Sequence, residues 1–249
     1  MAPVSPPRSS TFARVPARAA RTRVAGRSAP RNPARRRSTP PQITVALLVR
    51  HGKTPTTGKE LPGHAAGLHL AEEGRAQAER AAERIGALAR RPVAIYASPL
   101  ERTRETAAPI ARALGLRVRS EYGLIDSDTG DWTGSRLSRV TKKPEWGRVS
   151  RWPSGFRFPG GESFAEVAAR ANDTLVRLAG AHPGETFVAV SHADTIKLVV
   201  ATAAGIPLDL FQRLVISPCS VSALAFGSGG PPVVLCVNST ASLSELAIS

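Results

Sequence analysis

The sequence predicts an α/β fold built on a largely parallel sheet, and three observations carry that prediction. From Ile43 onward, short apolar runs of strand length alternate with amphipathic stretches of helical period. Two of these runs pass straight into helix-start signals. A chain of 249 residues, 42% of them hydrophobic, is long enough for one domain with a sizeable core and too short for two large ones.

Taken in order, Thr44 to Val49 is an apolar run of strand length that ends in Arg50-His51-Gly52. Leu70 to Leu88 sets Leu70, Ala78, Ala81, Ala82, Ile85 and Leu88 among glutamates and arginines, as an amphipathic helix does. Val93 to Ala97 reads as a second buried strand. Ser98-Pro99-Leu100-Glu101 follows it with serine at the N-cap, proline at the first helical position and glutamate at N3, a capping box that opens a helix to about Leu114. Gly115 stops that helix. Ser163 to Glu166 has the same form and opens a helix to about Leu178, after which Thr186 to Val190 is a third strand. Ser191-His192-Ala193-Asp194 caps another helix, with Asp194 read as a capping residue alone. From Arg213 on, the chain reads as short strands with Gly and Pro turns.

The net charge of +15 resembles a nucleic-acid signature until it is divided along the chain. Residues 1–42 hold ten Arg and no Asp, Glu or Lys, while the rest carries 24 Lys plus Arg against 19 acids. The first stretch also has eight Pro and no apolar periodicity, so it cannot bury enough surface to offset its ordering entropy. It is read as a disordered basic tail, with residues 43–249 as the folded domain. Contact of this tail with nucleic acid or an anionic surface is the sharper reading. A solvated extension is the one favoured, because Phe12 is its lone aromatic.

Cys219 and Cys236 have no partner spacing for a disulfide framework or a zinc site, which fits a reducing cytoplasm. No run approaches the roughly 18 apolar residues that span a bilayer, and the N-terminus lacks the apolar core of a secretory signal. A soluble cytoplasmic protein without a membrane span is expected.

Open α/β sheets bind ligands outside the carboxyl ends of their strands, and three such ends here carry Arg50-His51, Arg102 and His192. Two of the strands lead into helix N-termini, whose N–H groups favour an anion. Arginine forks and histidines beside helix N-termini suit a phosphate group. A metal fits poorly, because two histidines without nearby carboxylates or thiolates are an incomplete ligand set and arginines repel a dication. Neither a metal nor another cofactor is expected. His64, His69 and His182 are set aside, His182 as an exposed residue of a Gly-Ala-His-Pro-Gly turn, and Arg104 as a solvated helix charge. Trp132, Trp146 and Trp152 are read as packing residues, and the stretch from Arg148 to Phe158 as a candidate pocket mouth.

These residues together resemble the histidine phosphatase superfamily, the phosphoglycerate mutase-like family. Leu48-Val49-Arg50-His51-Gly52 is similar to its signature, and Leu70 to Ala78 to the helix start that follows. Ser98 to Ala107 resembles its second arginine motif. Leu124-Ile125-Asp126 with Gly130-Asp131-Trp132-Thr133-Gly134 resembles its acid motif, Gly160-Gly161-Glu162-Ser163 its Gly-Glu-Ser turn, and Val190-Ser191-His192 its second histidine. Six motifs in family order cover residues 43 to about 225.

The resemblance implies a three-layer α/β/α sandwich and a phosphatase acting on a small phosphate monoester. His51 is the implied nucleophile, forming a phosphohistidine. Arg50, Arg102 and His192 are implied to hold the phosphoryl oxygens, and Asp126 to act as proton donor and then base. The family's usual glutamate at the acid position is longer by one methylene, about 1.5 Å of reach. That leaves Asp128, two residues on, as the nearest substitute. Lys53, Thr57 and Ala193 depart from the mutase pattern, so hydrolysis is favoured over a phosphoglycerate mutase-type transfer. A catalytically weak phosphate-binding module on the same fold is the third reading. The sequence names neither the substrate nor an oligomeric state.

Overall fold

The run Thr44–Arg50 forms strand β1, and its alternate side chains divide between two cores: Ala46 and Leu48 face one, Val45, Leu47 and Val49 the other. A strand buried on both faces reads as a continuous apolar run because helices cover both sides. The computed structural model describes residues 42–227 and 230–240. The tail expected over residues 1–42 lies outside these except for Gln42, as does the end of the expected domain beyond residue 240.

After β1 come α1 (Glu72–Gly86), β2 (Ala94–Ala97), α2 (Glu101–Leu114), β3 (Val118–Ser120), α3 (Leu137–Val140), α4 (Trp146–Arg151), α5 (Phe164–Ala181), β4 (Thr186–Ser191), α6 (Ala193–Ala203), β5 (Val221–Phe226) and β6 (Val233–Ser239). The six strands lie in the order β3-β2-β4-β1-β5-β6. The first four run parallel, while β5 pairs antiparallel with both β1 and β6. Helices α1 and α2 supply Ala82, Ile85, Ala107 and Ile110 to one core, and α5 and α6 supply Leu175, Leu178, Ile196 and Val199 to the other. This is the mostly parallel three-layer α/β fold that the sequence leads one to expect. Each fully buried large apolar side chain contributes on the order of 1.5–3 kcal/mol.

The register fixes where the site forms. Arg50 lies opposite Ser191, and Ala97 opposite Val190. The carboxyl ends of β1, β4 and β2 therefore sit side by side. A third cluster, built on Trp132, Phe156, Phe158, Phe164 and Phe211, packs the 130–158 stretch against the rest.

The structure corrects several expectations. Strand β3 joins the sheet edge through only three residues, too few for a readable pattern. The capping box at Ser163 forms, with Ser163 Oγ accepting from the Glu166 N–H and the Glu166 carboxylate accepting from the Ser163 N–H. The one at Ser98 does not form. Leu100 is the N-cap there, without a side-chain cap; Ser98 Oγ meets the Leu100 N–H at a long 3.4 Å and His192 Nε2 at 2.9 Å. Asp194 makes no cap either, and lies 3.3 Å from Lys197 Nζ. His182 is buried, held between the Tyr96 hydroxyl at 3.0 Å and Glu185 at 3.1 Å. Trp152 is exposed, with the Arg148 guanidinium over its ring, while Trp132 is buried.

Among the described residues no helix is long and apolar enough to cross a membrane. Cys219 and Cys236 are free thiols, and burial pushes Cys219 up to about 12.

Candidate active site

Where β1 ends, the chain continues the parallel ladder for one more residue: the His51 N–H donates to Ser191 O at 2.9 Å. The Arg50 carbonyl accepts from the Cys219 N–H on the other side, so the turn is held from both neighbours. Gly52 then passes the start of α1 so closely that a Cβ on Gly74 would lie 2.0 Å from Lys53 O, and one on Gly52 2.5 Å from Gly74 O. Two motif glycines thus mark a backbone-on-backbone contact. The Gly52 N–H donates to Thr106 Oγ1 in α2 at 3.0 Å.

This framework orients the His51 ring. Its Nδ1 lies 2.8 Å from the Gly52 carbonyl oxygen. A carbonyl can only accept, so the proton resides on Nδ1 and Nε2 keeps its lone pair. Among the described residues nothing hydrogen-bonds Nε2. Burial, with His192 and the guanidinium groups of Arg102 and Arg50 nearby, holds His51 well below its usual pKa and hence neutral.

His192, at the N-cap of α6, has its ring centroid 5.3 Å from that of His51 and its Nε2 2.9 Å from Ser98 Oγ. Burial first, then Arg102 and other cations, also holds it well below the ordinary range. Ser98 thus meets His192 at shorter range than the first turn of α2.

Arg102 stands in the first turn of α2 and is fully buried. Its Nη2 donates to Gly63 O at 2.9 Å and to Asp126 Oδ2 at 3.0 Å. Arg50 donates through Nη1 to Ile216 O at 2.6 Å, and burial lowers its pKa. Arg50 Nε, Arg102 Nε, Arg102 Nη1 and His192 Nδ1 are buried and have no hydrogen-bond partner among the described residues. An unpaired buried polar atom costs about 1–3 kcal/mol, so four around one imidazole call for a ligand with several acceptor oxygens.

Asp126 sits in the loop after β3. Its Oδ1 accepts from the Ser127 N–H at 3.0 Å, and Oδ2 lies 3.4 Å from His192 Nδ1 besides meeting Arg102. The loop backbone is fastened at every step. Ser191 Oγ donates to Leu124 O at 2.6 Å, Thr195 Oγ1 to Ile125 O at 3.1 Å, and the ring of His64 bonds Asp126 O through Nε2 at 2.8 Å. Arg170 on α5 donates to Gly123 O at 3.0 Å and Ile125 O at 3.1 Å while it pairs with Glu162 at 2.9 Å. Glu162, from the Gly-Glu-Ser turn, in turn accepts from the Asp128 N–H at 3.0 Å. Asp128 Oδ1 accepts from the Gly130 N–H at 2.9 Å, closing a local turn.

A cleft of ≈ 130 Å³ opens over this centre, and Arg50, His51 and Asp126 line it together with Thr54, Thr57, Glu60, Ser127, Phe158, Ala193 and Asp194. Arg102 and His192 are not among its lining residues, and each meets Asp126 Oδ2, at 3.0 and 3.4 Å. The structure thus brings together all five residues singled out in the sequence. Ser98, Thr106, Thr195 and Arg170 were missed as site residues, since the partners of the first three are 54 to 94 residues away and the loop carbonyls that Arg170 meets are 44 to 47 away, and no local pattern marks such bonds. Of the candidate pocket mouth, Phe158 alone lines the cleft.

Residues 46–239 match the family model of the histidine phosphatase superfamily (branch 1). A bifunctional protein of Mycobacterium tuberculosis is 33% identical over 207 residues, covering 82% of this chain and 55% of its own length. The chain thus spans about half of that relative. Phosphoserine phosphatase 1 of Hydrogenobacter thermophilus is 35% identical over 173 residues, covering 66% of this chain and 78% of its own. Among solved structures, a mycobacterial glucosyl-3-phosphoglycerate phosphatase superposes with a TM-score of 0.66 at 27% identity, covering 74% of this chain and 90% of that one.

Proposed function

The chain belongs to the histidine phosphatase superfamily, and from that membership we propose that it hydrolyses phosphate monoesters through a phosphohistidine on His51, without a metal ion. One observation carries the reading. The His51 proton is fixed on Nδ1 by the Gly52 carbonyl, which leaves Nε2 free among buried, unpaired arginine nitrogens at the cleft.

Nε2 attacks phosphorus as the ester P–O bond breaks, which divides one hard displacement into two easier ones. Arg50 and Arg102 stabilise the transferring oxygens with fixed positive charge, the work a dication would otherwise do. The Asp126 carboxylate occupies one Arg102 nitrogen. Arrival of the ester as its monoanion displaces it, freeing Arg102 for the phosphoryl group; Asp126 takes up the proton the monoanion carries and passes it to the leaving oxygen, returning to the carboxylate. Asp126 then takes a proton from the water that attacks the phosphohistidine, and inorganic phosphate leaves. A mutase would share the first half and return the phosphoryl group to a second alcohol, so release of inorganic phosphate separates the two. The free thiols suit a reducing compartment, and the cytoplasm is the proposed site of action.

The test is turnover of p-nitrophenyl phosphate with excess chelator, for the native chain and for His51→Ala. The expected result is phosphate release unchanged by chelator and reduced to background in the variant, with the circular dichroism of both alike. Turnover that survives in His51→Ala overturns the nucleophile. Activity lost to chelator and restored by a divalent ion overturns metal independence.

A further inference from the structure

Beyond the reacting centre, the cleft is walled by hydroxyls and carboxylates. Thr54, Thr56, Thr57 and Ser127 bring hydroxyls, and Ser127 Oγ is buried with no hydrogen-bond partner among the described residues. Glu60 and Asp194 are the further acidic residues that line the same walls. Asp194 is partly answered by Lys197, but Glu60 makes no side-chain ion pair or hydrogen bond among the described residues. Arg136, whose backbone bridges to Glu60, is exposed; with Lys59 and Glu60 itself it lines a second hollow, and neither Arg136 nor Lys59 lines the cleft. Lys53, two residues after the nucleophile, is turned to Glu73 at 2.7 Å. Among the described residues lining the cleft, Arg50 is the one cation, and it belongs to the phosphate end.

A substrate whose alcohol carries a carboxylate would bring that charge into a cleft of ≈ 130 Å³ against Glu60, with no cation there to receive it. Like charges brought together in a confined site discriminate strongly. A hydroxyl on the alcohol meets Ser127 and the threonines instead, and an ammonium meets Glu60. Granted the phosphatase reading, we infer that the substrate is a phosphate monoester of a carboxylate-free alcohol bearing hydroxyl or amino groups, and that Glu60 is the residue that rejects carboxylate-bearing esters.

Two matched pairs test this on the full chain: glycerol 3-phosphate against 3-phosphoglycerate, and phosphoethanolamine against phosphoserine. Each pair differs chiefly by a carboxylate. The expected kcat/KM ratio favours the carboxylate-free member by roughly tenfold to a hundredfold, the scale of one close like-charge contact. In Glu60→Gln the ratio should shrink, and in Glu60→Lys it should fall to about one or invert. Because both members are measured on one preparation, a loss of folded protein cancels in the ratio. Equal or better turnover of 3-phosphoglycerate by the native chain, or a ratio that Glu60→Lys does not move, overturns the inference while p-nitrophenyl phosphate is still turned over. If no ester, p-nitrophenyl phosphate included, is turned over, the phosphatase reading falls and the inference with it.

Discussion

Asp126 is the residue whose role geometry and chemistry constrain most tightly. It reaches Arg102 and lines the cleft, whereas Asp128 spends its carboxylate on the Gly130 N–H and is absent from the cleft wall. Loss of a general acid harms a substrate in proportion to its need for a proton: an alkoxide leaves poorly without one, and a nitrophenolate leaves unaided. Asp126→Asn is therefore expected to slow alkyl phosphates on the order of a hundredfold or more while slowing p-nitrophenyl phosphate far less, and Asp128→Asn to spare the difference between them. Comparable losses on both substrate types in Asp126→Asn would move the acid elsewhere. Ser98 teaches a complementary lesson. Its motif announces a helix cap, yet a cap needs only a local N–H, and a buried imidazole that lacks a partner costs more than an uncapped helix end. The hydroxyl goes to His192.

Among the elements, the start of α1 is the one most directly tied to the turn that carries His51. A Gly74→Ala methyl would lie 2.0 Å from Lys53 O, a backbone atom that cannot swing aside, so the turn carrying His51 must shift. Overpacking of this kind costs about 1–3 kcal/mol. Gly86, at the other end of the same helix, has room, for its added Cβ would meet only Ala113 Cβ at 3.6 Å. Gly86→Ala is expected to be neutral or to stabilise by up to about 1 kcal/mol through helix propensity. Urea midpoints and turnover of the two variants check this: Gly74→Ala should lose both, and Gly86→Ala neither. Retained turnover in Gly74→Ala would mean that the contact does not hold His51, the proposed nucleophile, in place.

At the scale of the whole molecule, burying two neutral histidines at the carboxyl ends of β1 and β4 makes stability depend on pH. The folded-state pKa values of His51 and His192 are depressed, so below the ordinary value of about 6.5 the unfolded chain binds protons that the folded one does not. Stability from this source is complete above about 6.5 and falls as pH drops, by about 1.4 kcal/mol per pH unit for each histidine still neutral in the fold. The resolved carboxylate shifts have the same ordering and the same sign, but act in a lower pH window. Glu101, Glu105 and Glu166, the last brought to about 2 by Arg157 and Ser163, are depressed acids whose contribution is lost only below about 4.5. Urea unfolding between pH 7.5 and 5 should therefore show a falling midpoint, with a smaller slope in His192→Gln. A flat profile over that window would contradict the burial of both rings in neutral form.

The sequence by itself determined the order of β1, α1, β2, α2, α5, β4 and α6 and the strand ends that carry Arg50, His51, Arg102 and His192, because each is written in local periodicity or a contiguous signal. It reached Asp126 only by resemblance. The tertiary structure alone decided that Arg102 and His192 both meet Asp126, that Arg170 and Glu162 fasten the loop bearing Asp126, that Ser98 serves His192, and that His182 is buried against Tyr96. Those choices join side chains from distant stretches in competition for a few buried donors and acceptors. Only the packed sheet, which sets β1, β2 and β4 side by side, settles which partner each one meets.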